Sequence, residues 1–379
     1  MAHSSMIKVT LVLLLGSLSA CGGDSPAATP NSPIGEQEKG GEDPYLNGPY
    51  SVQTNWPQPI PGHEDWVWGA STGVFAESPD RVFVVQRGQL PLPEGMEPGW
   101  DAIASTPGNR AIGGNRFVSC IYVVDASGTI IESWEQWDHL CASGGRGPHQ
   151  VAINPYDPEK HVWVVDDQLH QIFKFTNDGE ELVLTLGQHL EPGNDETHFN
   201  RPTAIAFLPD GSTFVTDGYG NNRVVKFDAN GDFVMTWGEQ GTGPGQFNLP
   251  HGIATDQDRR VYVADRSNAR VQIFDENGNL LDVWPNINAP FALQVSSDGY
   301  LWVADGNTNK MLKYDLTGRL MFAFGTYGLE PGFNWGIHGF HMDTDGNMYW
   351  AETFAGRAQK MRPRPGADHT HLALGFAGP

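Results

Sequence analysis

Residues 249–278 read LPHGIATDQDRRVYVADRSNARVQIFDENG and contain most of one unit of a repeating pattern. A histidine opens the unit, an apolar run follows, and a turn leads to a second β-type run that ends in Asp265. A polar bend then precedes a third run, Arg270–Phe274, and the pair Asn277-Gly278 marks a hairpin turn, because both residue types accept positive φ cheaply. Short apolar runs separated by such turns predict antiparallel strands.

The same unit recurs along most of the chain. Its second run ends each time in an acid, at Asp166, Asp217, Asp265, Asp305 and Glu352. These acids lie 40 to 51 residues apart, and Asp-Gly or Asn-Gly pairs recur between them. Because such an acid is present in most units, we expect these carboxylates to cap turns rather than to carry chemistry.

Four short antiparallel strands in each unit of this length are typical of a propeller blade. Five clear units begin near residues 148, 201, 249, 290 and 336, and an irregular earlier unit starts near residue 72 and contains a long insertion. The fold class we predict is all-β, a six-bladed β-propeller with four antiparallel strands per blade. Five or seven blades remain alternatives at this point, because the first unit is irregular.

The ends of the predicted domain follow from composition. Residues 1–20 read as a lipoprotein signal peptide, because an apolar run at 9–15 precedes Leu18-Ser-Ala-Cys21, which resembles the lipobox of a bacterial lipoprotein. We therefore expect a lipid on Cys21 that anchors the protein in the bacterial cell envelope; the alternative is an ordinary signal peptide with a chance cysteine. Residues 21–60 are predicted to form a flexible tether and residues 61–379 the propeller.

Charge and cysteine content limit the partners. A formal net charge of −22 disfavours nucleic acid, since the phosphate backbone is also negative. Cys120 and Cys141 lie in a chain predicted to be exported, which favours a disulfide between them, and a lone pair lacks the spacing of zinc-thiolate sites. We expect a monomer that acts on a small molecule or a peptide.

Three histidines occupy one matching position of the repeat: His149, His251 and His338. They open the first strand of the second, fourth and sixth predicted blades, which stand about 120° apart in a six-bladed ring. Three imidazoles can therefore converge on one metal ion and leave a coordination position open, as catalytic sites do. A single histidine at such a place is more often a packing residue, and we assign that role to His341.

Three further polar residues follow the end of a second strand and so lie at the same end of the ring. Arg87 follows Gln86, Tyr219 follows Asp217-Gly218, and Arg266 follows Asp265. The two arginines could hold a carboxylate, and a tyrosine among positive groups suits a general base. The alternative is that these side chains brace loops.

Residues 186–203 and 215–223, with residues 244–251 and 264–270, resemble the peptidyl-α-hydroxyglycine α-amidating lyase family. The resemblance spans roughly residues 66–360, and it extends more broadly to NHL-repeat propellers, of which that family is one branch. The motifs around Tyr219 and Arg266 carry the specific part of the resemblance, because generic NHL repeats do not need them.

This resemblance implies a zinc lyase that splits a peptidyl carbinolamide, bearing a glycolate carboxylate, into an amide and glyoxylate. The residues that it implies at the site are His149, His251 and His338 for zinc, Tyr219 for the hydroxyl proton, and Arg87 and Arg266 for the carboxylate. The family also holds a structural calcium through backbone carbonyls that match Val74 and Val151, and through an aspartate after the third histidine. Here Gly339 stands in place of that aspartate, and Gly336 in place of a family methionine.

Two other classes of function remain open from the sequence. One is a different metal-dependent propeller enzyme, such as a lactonase, an esterase or a ureidoglycolate-type lyase. The other is a non-catalytic NHL-repeat binding module of the cell envelope. Metal content and the products released from a carbinolamide distinguish these classes.

Overall fold

The structure is a computed structural model, and it describes residues 47–92, 94–100, 116–141 and 146–375. The signal peptide, Cys21 and the tether up to residue 46 lie outside the described residues, so these assignments and the envelope location stay predictions. Within the described ranges, no helix is both long and apolar enough to cross a membrane.

The described residues are built almost entirely of short strands. In the first half these are β1 (Tyr50–Val52), β2 (Trp66–Trp68), β3 (Ser71–Ser78), β4 (Arg81–Gln86), β5 (Gln89–Pro91), β6 (Ile121–Val124), β7 (Ile130–Ser133), β8 (Pro148–Ile153), β9 (Val162–Asp166), β10 (Gln171–Phe175), β11 (Leu182–Leu186), β12 (Ala204–Phe207) and β13 (Thr213–Asp217). In the second half they are β14 (Arg223–Phe227), β15 (Phe233–Trp237), β16 (Pro250–Thr255), β17 (Val261–Asp265), β18 (Arg270–Phe274), β19 (Leu280–Pro285), β20 (Pro290–Val295), β21 (Tyr300–Asp305), β22 (Lys310–Asp315), β23 (Leu320–Phe324), β24 (Ile337–Met342), β25 (Met348–Glu352) and β26 (Arg357–Pro363). Within the described ranges, the complete helical segments are the α-turn α1 (Asp138–Cys141) and 3-10 turns at Glu135–Trp137, Arg266–Asn268 and His369–His371.

Six sheets of four antiparallel strands form the blades of a propeller, which confirms the predicted fold class. The blades in order are β3-β4-β6-β7, β8-β9-β10-β11, β12-β13-β14-β15, β16-β17-β18-β19, β20-β21-β22-β23 and β24-β25-β26-β1. The first strand of each blade packs against the first strands of its neighbours and so lines the central channel. A separate two-stranded sheet pairs β2, which precedes the first blade, with β5 of the insertion in that blade. The alternatives of five or seven blades are wrong.

The last blade is closed by the start of the described chain. Strand β1 pairs antiparallel with β26, with Tyr50 opposite Pro363 and Val52 opposite Met361. Tyr50 is fully buried, and its hydroxyl accepts a hydrogen bond from the backbone N–H of Ala373. The sequence placed these residues in the tether and started the propeller at residue 61, so that boundary is corrected: the sixth blade needs a fourth strand to cover its edge.

The hairpin turns follow the chemistry that the sequence predicts. The glycines of the Asp-Gly and Asn-Gly pairs all have positive φ, between 73° and 87°, at Gly179, Gly211, Gly231, Gly278, Gly299 and Gly346. A side chain at these positions would be strained, which explains why glycine recurs there.

The core lies between the blades rather than within one sheet. Val165 of β9 packs in one cluster with Ile205 of β12, and Trp302 of β21 packs in one cluster with Trp350 of β25. Burial of each such side chain stabilises the fold by about 1.5–3 kcal/mol. Because every blade shares its apolar faces with two neighbours, the ring folds as one unit and holds the channel residues in fixed positions.

The two cysteines of the predicted disulfide lie near the end of the first blade. Cys120 is buried as a free thiol, and the Asp138 carboxylate accepts hydrogen bonds from the backbone N–H groups of Ser119 and Cys120. The side chain of Cys141 lies outside the described residues. Because the Cys120 thiol is free, the predicted disulfide between Cys120 and Cys141 is not formed in this structure.

Candidate metal centre

Each of the three histidines enters the channel from a bulged first strand. His149, His251 and His338 are the second residues of β8, β16 and β24, and the pairing with the second strand shifts register at each of them. A β-bulge re-aims the side chain at its centre. The repeat therefore places one imidazole of every second blade at the axis of the ring.

The three imidazoles meet, as the sequence predicts. A nitrogen atom of each ring lies within 4.8 Å of a nitrogen atom of both others. The ring centroids are 4.4 Å apart for His149 and His338, and 4.8 Å apart for each pair that includes His251. All three side chains are buried. This cluster can hold a metal ion, and three nitrogen ligands leave a further coordination position free.

Backbone carbonyls of the following blades fix the tautomers. The Nδ1 atom of His149 lies 2.5 Å from the carbonyl oxygen of Thr203, that of His251 lies 2.6 Å from Phe291 O, and that of His338 lies 2.8 Å from Thr72 O. A carbonyl oxygen only accepts, so each Nδ1 carries the proton and donates it. Each Nε2 then presents its lone pair to the channel, which is the arrangement of a metal-ligating histidine.

The electrostatics of the cluster keep the imidazoles neutral. Burial lowers the pKa of His338 to about 3, and the charge of Arg87 adds to this effect. Burial also lowers the pKa of His149 and of His251 well below the usual value, with further lowering from His338 and Arg266. Neutral imidazole is the form that binds a metal.

Tyr219 reaches the cluster from the third blade. Its hydroxyl oxygen lies 3.2 Å from Nε2 of His149 and 3.1 Å from Nε2 of His251. The preceding Gly218 is required by close packing, since a Cβ there would lie 1.7 Å from the carbonyl oxygen of Pro250. The strand end therefore passes directly against the fourth blade and delivers the tyrosine above two of the three candidate ligands.

Arg266 interacts with Tyr219 from the end of the second strand of the fourth blade. Its guanidinium sits 3.8 Å above the ring centroid of Phe291, a residue that occupies the histidine position in the fifth blade. Burial lowers the pKa of Arg266, while its interaction with the Tyr219 hydroxyl acts in the opposite direction. The structure thus brings Arg266 and Tyr219 together at the histidine end of the channel, as predicted.

Arg87 is also at this end, and it is held by a residue that the sequence analysis missed. Its Nη2 donates to Asp167 over 2.8 Å, and its buried Nε has no hydrogen-bond partner among the described residues. Asp167 directly follows the strand-ending Asp166, so it occupies the same repeat position as Arg87 and Arg266. This shared position was the signal that could have identified Asp167.

Two more arginines bind the same carboxylate. Arg146 and Arg201 each donate to Oδ2 of Asp167, over 2.9 and 2.8 Å, and their guanidinium carbons lie 5.6 and 4.5 Å from the ring centroid of Tyr219. Asp167 is fully buried; burial opposes its ionisation most strongly, yet Arg87, Arg201 and Arg146 together hold the pKa of its carboxyl below the usual value. Three guanidinium groups thus bind this one ionised carboxylate, and a fourth, that of Arg266, interacts with Tyr219.

The calcium site implied by the resemblance is not supported by the residues present. Val74 and Val151 lie on the adjacent inner strands β3 and β8, but the place of the third ligand is Gly339. A Cβ at Gly339 would lie 2.8 Å from the carbonyl oxygen of Thr72, so the neighbouring blade leaves no room for a carboxylate side chain. Calcium binds six to eight oxygen atoms. The residues therefore do not fit calcium at this place.

The other end of the channel has a different character. A cavity of about 320 Å³ lies there, lined mainly by apolar side chains and by His341, and it includes none of the three clustered histidines. His341 is buried, its Nδ1 accepts from the backbone N–H of Ala76 over 3.2 Å, and its ring centroid lies 3.9 Å from that of Phe75. Burial lowers its pKa to about 3. These contacts are those of a packing residue.

The chain is similar to known proteins in both its fold and its sequence. The fold is a six-bladed β-propeller, and residues 247–274 match the NHL repeat. The proteins that the chain is similar to include amidating lyases, which confirms the resemblance seen in the sequence. It is 38% identical over 169 residues to peptidyl-glycine α-amidating monooxygenase A of Xenopus laevis, a match that covers 42% of this chain and 18% of that protein.

Two further relatives match shorter or similar lengths of the chain. The chain is 37% identical over 130 residues to a probable peptidyl-α-hydroxyglycine α-amidating lyase of Caenorhabditis elegans, which covers 34% of this chain and 36% of the relative. It is 35% identical over 179 residues to NHL repeat-containing protein 3 of Mus musculus, covering 43% of this chain and 51% of the relative. In all three cases the match spans about half of the relative or less.

Solved structures agree on the fold. A gluconolactonase of Xanthomonas campestris has a TM-score of 0.54 at 14% identity and covers 85% of this chain and 92% of its own. A streptogramin B lyase has a TM-score of 0.51 at 16% identity and covers 78% of this chain and 94% of its own. At such identities the likeness concerns the propeller alone.

Proposed function

We propose that this chain is a zinc-dependent lyase that cleaves a carbinolamide of the peptidyl-α-hydroxyglycine type into an amide and glyoxylate. The sequence similarity to amidating lyases supports the reaction class. The observation that carries the proposal is the position of Tyr219, whose hydroxyl lies 3.1 and 3.2 Å from the Nε2 atoms of His251 and His149. An ionisable hydroxyl thus lies beside two of the three nitrogen atoms that would hold the metal.

The residues fit zinc. His149, His251 and His338 would hold the ion through Nε2, because each Nδ1 is already committed to a backbone carbonyl. When bound, zinc supplies Lewis acidity that stabilises negative charge on a substrate oxygen. Three imidazole ligands with a free position are typical of catalytic rather than structural zinc.

The chain's own residues account for substrate position and proton movement. Arg87 and Arg266 bind the glycolate carboxylate, and their charges orient the carbinol toward Tyr219. The Tyr219 oxygen takes the proton of the substrate hydroxyl, the C–N bond breaks as the C=O double bond of glyoxylate forms, and the bonding pair leaves on the amide nitrogen. That nitrogen receives the proton, so the products are a neutral amide and glyoxylate, and no other reactant is consumed.

The test combines metal analysis with a product assay on the purified protein. We expect one zinc per chain, glyoxylate release from α-hydroxyhippurate, and loss of release after chelation with recovery on adding zinc. Zinc without glyoxylate, but with cleavage of an ester or a lactone, would instead support a propeller hydrolase. Absence of metal, with thermal stability unchanged by a chelator, would support a non-catalytic binding module.

A further inference from the structure

More arginines surround Asp167 than are needed to form the propeller fold. The repeat position of Arg201, two residues before the histidine position, holds Gly147, Leu249, Ala289 and Gly336 in blades two, four, five and six. The repeat position of Asp167 holds Gly218 and Gly306 in blades three and five. The propeller therefore forms without an arginine or an acid at these positions, and their presence here calls for another reason.

The Asp167 cluster also carries more positive charge than its own pairing needs. Buried ion pairs are stabilised when charges balance, and one guanidinium would balance Asp167. Burial raises the pKa of the adjacent Asp166 to about 7, so this carboxyl carries less than a full negative charge at neutral pH. Arg87, Arg146, Arg201 and Arg266 thus form a local positive region in a chain whose net charge is −22. Such a region attracts anions to the channel mouth.

The arginines of this region differ in exposure. They therefore offer two separate positions at which a negatively charged group could bind, one buried and one closer to solvent. The side chain of Arg87 is 12% exposed and lies deep beside the histidines, whereas those of Arg146 and Arg201 are 43% and 31% exposed. Arg146 and Arg201 each donate to Asp167 through one nitrogen, and both guanidinium groups lie beside the Tyr219 ring. They are positioned for the outward part of a substrate whose inner part reaches Tyr219.

We infer that Arg146 and Arg201, positioned by Asp167, form a second anion-binding subsite that selects carbinolamides whose acyl group carries its own carboxylate. This inference rests on the proposed lyase function and specifies its substrate class: dianionic N-acyl-α-hydroxyglycines. The glycolate carboxylate binds at Arg87 and Arg266, and the second carboxylate binds at Arg146 and Arg201. Guanidinium groups suit this role because their planar donors match a carboxylate.

The test is a comparison of matched substrates. Malonyl-, succinyl- and glutaryl-α-hydroxyglycine are each paired with the analogue in which the terminal carboxylate is a neutral amide. We expect kcat/KM to be at least about tenfold higher for the acid than for the amide in the best-fitting pair, since a charge-assisted hydrogen bond is lost in the amide. Equal values in all three pairs would overturn the inference while leaving the lyase function intact.

Two variants assign the preference to the named residues. Arg201→Leu introduces the residue of the fourth blade, and Arg146→Gln removes the charge at similar length. Each should lower the acid-to-amide ratio of kcat/KM toward one, whereas a merely structural role would lower both values and leave their ratio unchanged. Arg319→Gln is the control, because Arg319 is 73% exposed and pairs with Asp315 of its own turn. Its acid-to-amide ratio should equal that of the wild type.

If no carbinolamide is cleaved, the lyase proposal fails and ligand binding still decides the subsite. Glutarate should then raise the unfolding temperature more than its monoamide does, and Arg201→Leu should remove the difference. Equal effects of the two ligands on the wild type would overturn the subsite itself.

Discussion

Tyr219 is the residue at which chemistry and metal binding can be separated. Its hydroxyl contacts two candidate ligands, but none of the imidazole Nδ1 contacts depends on it. Tyr219→Phe removes one oxygen atom, so we expect glyoxylate release to fall at least about 10²-fold, the usual contribution of a general base. Zinc content by elemental analysis should stay at the wild-type level. Turnover that survives the substitution would show that another group takes the proton.

At the same scale, the sequence predicts the residues that recur and misses those that pair across blades. The three histidines could be identified because one repeat position holds all of them. Arg146 could not, because it lies in an irregular segment between the first two blades, and its partner Asp167 follows 21 residues later through a contact that no repeat encodes. The contact of Arg146 with Asp167 depends on how the segment before the second blade folds over the histidine end of the channel.

At the scale of the strand, the acids that end the second strands cap turns, as predicted. Asp217 Oδ1 accepts from the backbone N–H of Asn200, and Asp305 Oδ1 accepts from those of Asn307 and Thr308. Asp217 also pairs with the buried Arg223 over 3.0 Å. The recurring acid thus fastens each strand end, with an added arginine in some blades.

Because an arginine pairs with the acid only in some blades, replacing the acid by alanine should lower the free energy of unfolding by different amounts in different blades. Asp217→Ala leaves the Arg223 guanidinium buried without its carboxylate, and we expect a loss of about 3–5 kcal/mol in the free energy of unfolding. Asp305→Ala removes an acceptor of backbone N–H groups, and we expect about 1–3 kcal/mol. Urea denaturation of both variants measures the two losses. Equal values would mean that the Arg223 pair adds nothing to the turn.

Strand ends were predictable wherever an acid or a turn glycine marks them, and β9, β13, β17, β21 and β25 end at the predicted acids. Strand β1 was not predictable. It has only three residues, its partner β26 lies more than 300 positions further along the chain, and no turn signal joins the two. Long-range pairing of this kind is decided by the edge that the last blade leaves uncovered.

At the scale of the whole molecule, ring closure depends on Tyr50. Its ring centroid lies 5.4 Å from that of Phe324 in the fifth blade, and the side chain is fully buried. Tyr50→Ala should lower the free energy of unfolding by about 3–5 kcal/mol, as for other large buried aromatics. Tyr327→Ala is the comparison, because Tyr327 is 59% exposed and should change stability by about 0.5 kcal/mol or less. A small loss of stability in Tyr50→Ala would indicate that residues 50–52 belong to the tether and not to the propeller.

Around the channel, blades that supply an imidazole alternate with blades that supply the carbonyl to which it donates. Such an alternation requires an even number of blades. Adding or deleting a single blade would break this alternation, and the three histidine-bearing blades would no longer stand about 120° apart around the ring. The number of blades thus determines whether three equivalent histidines can bind one ion. Variants of this chain that change the number of blades should add or remove two blades together.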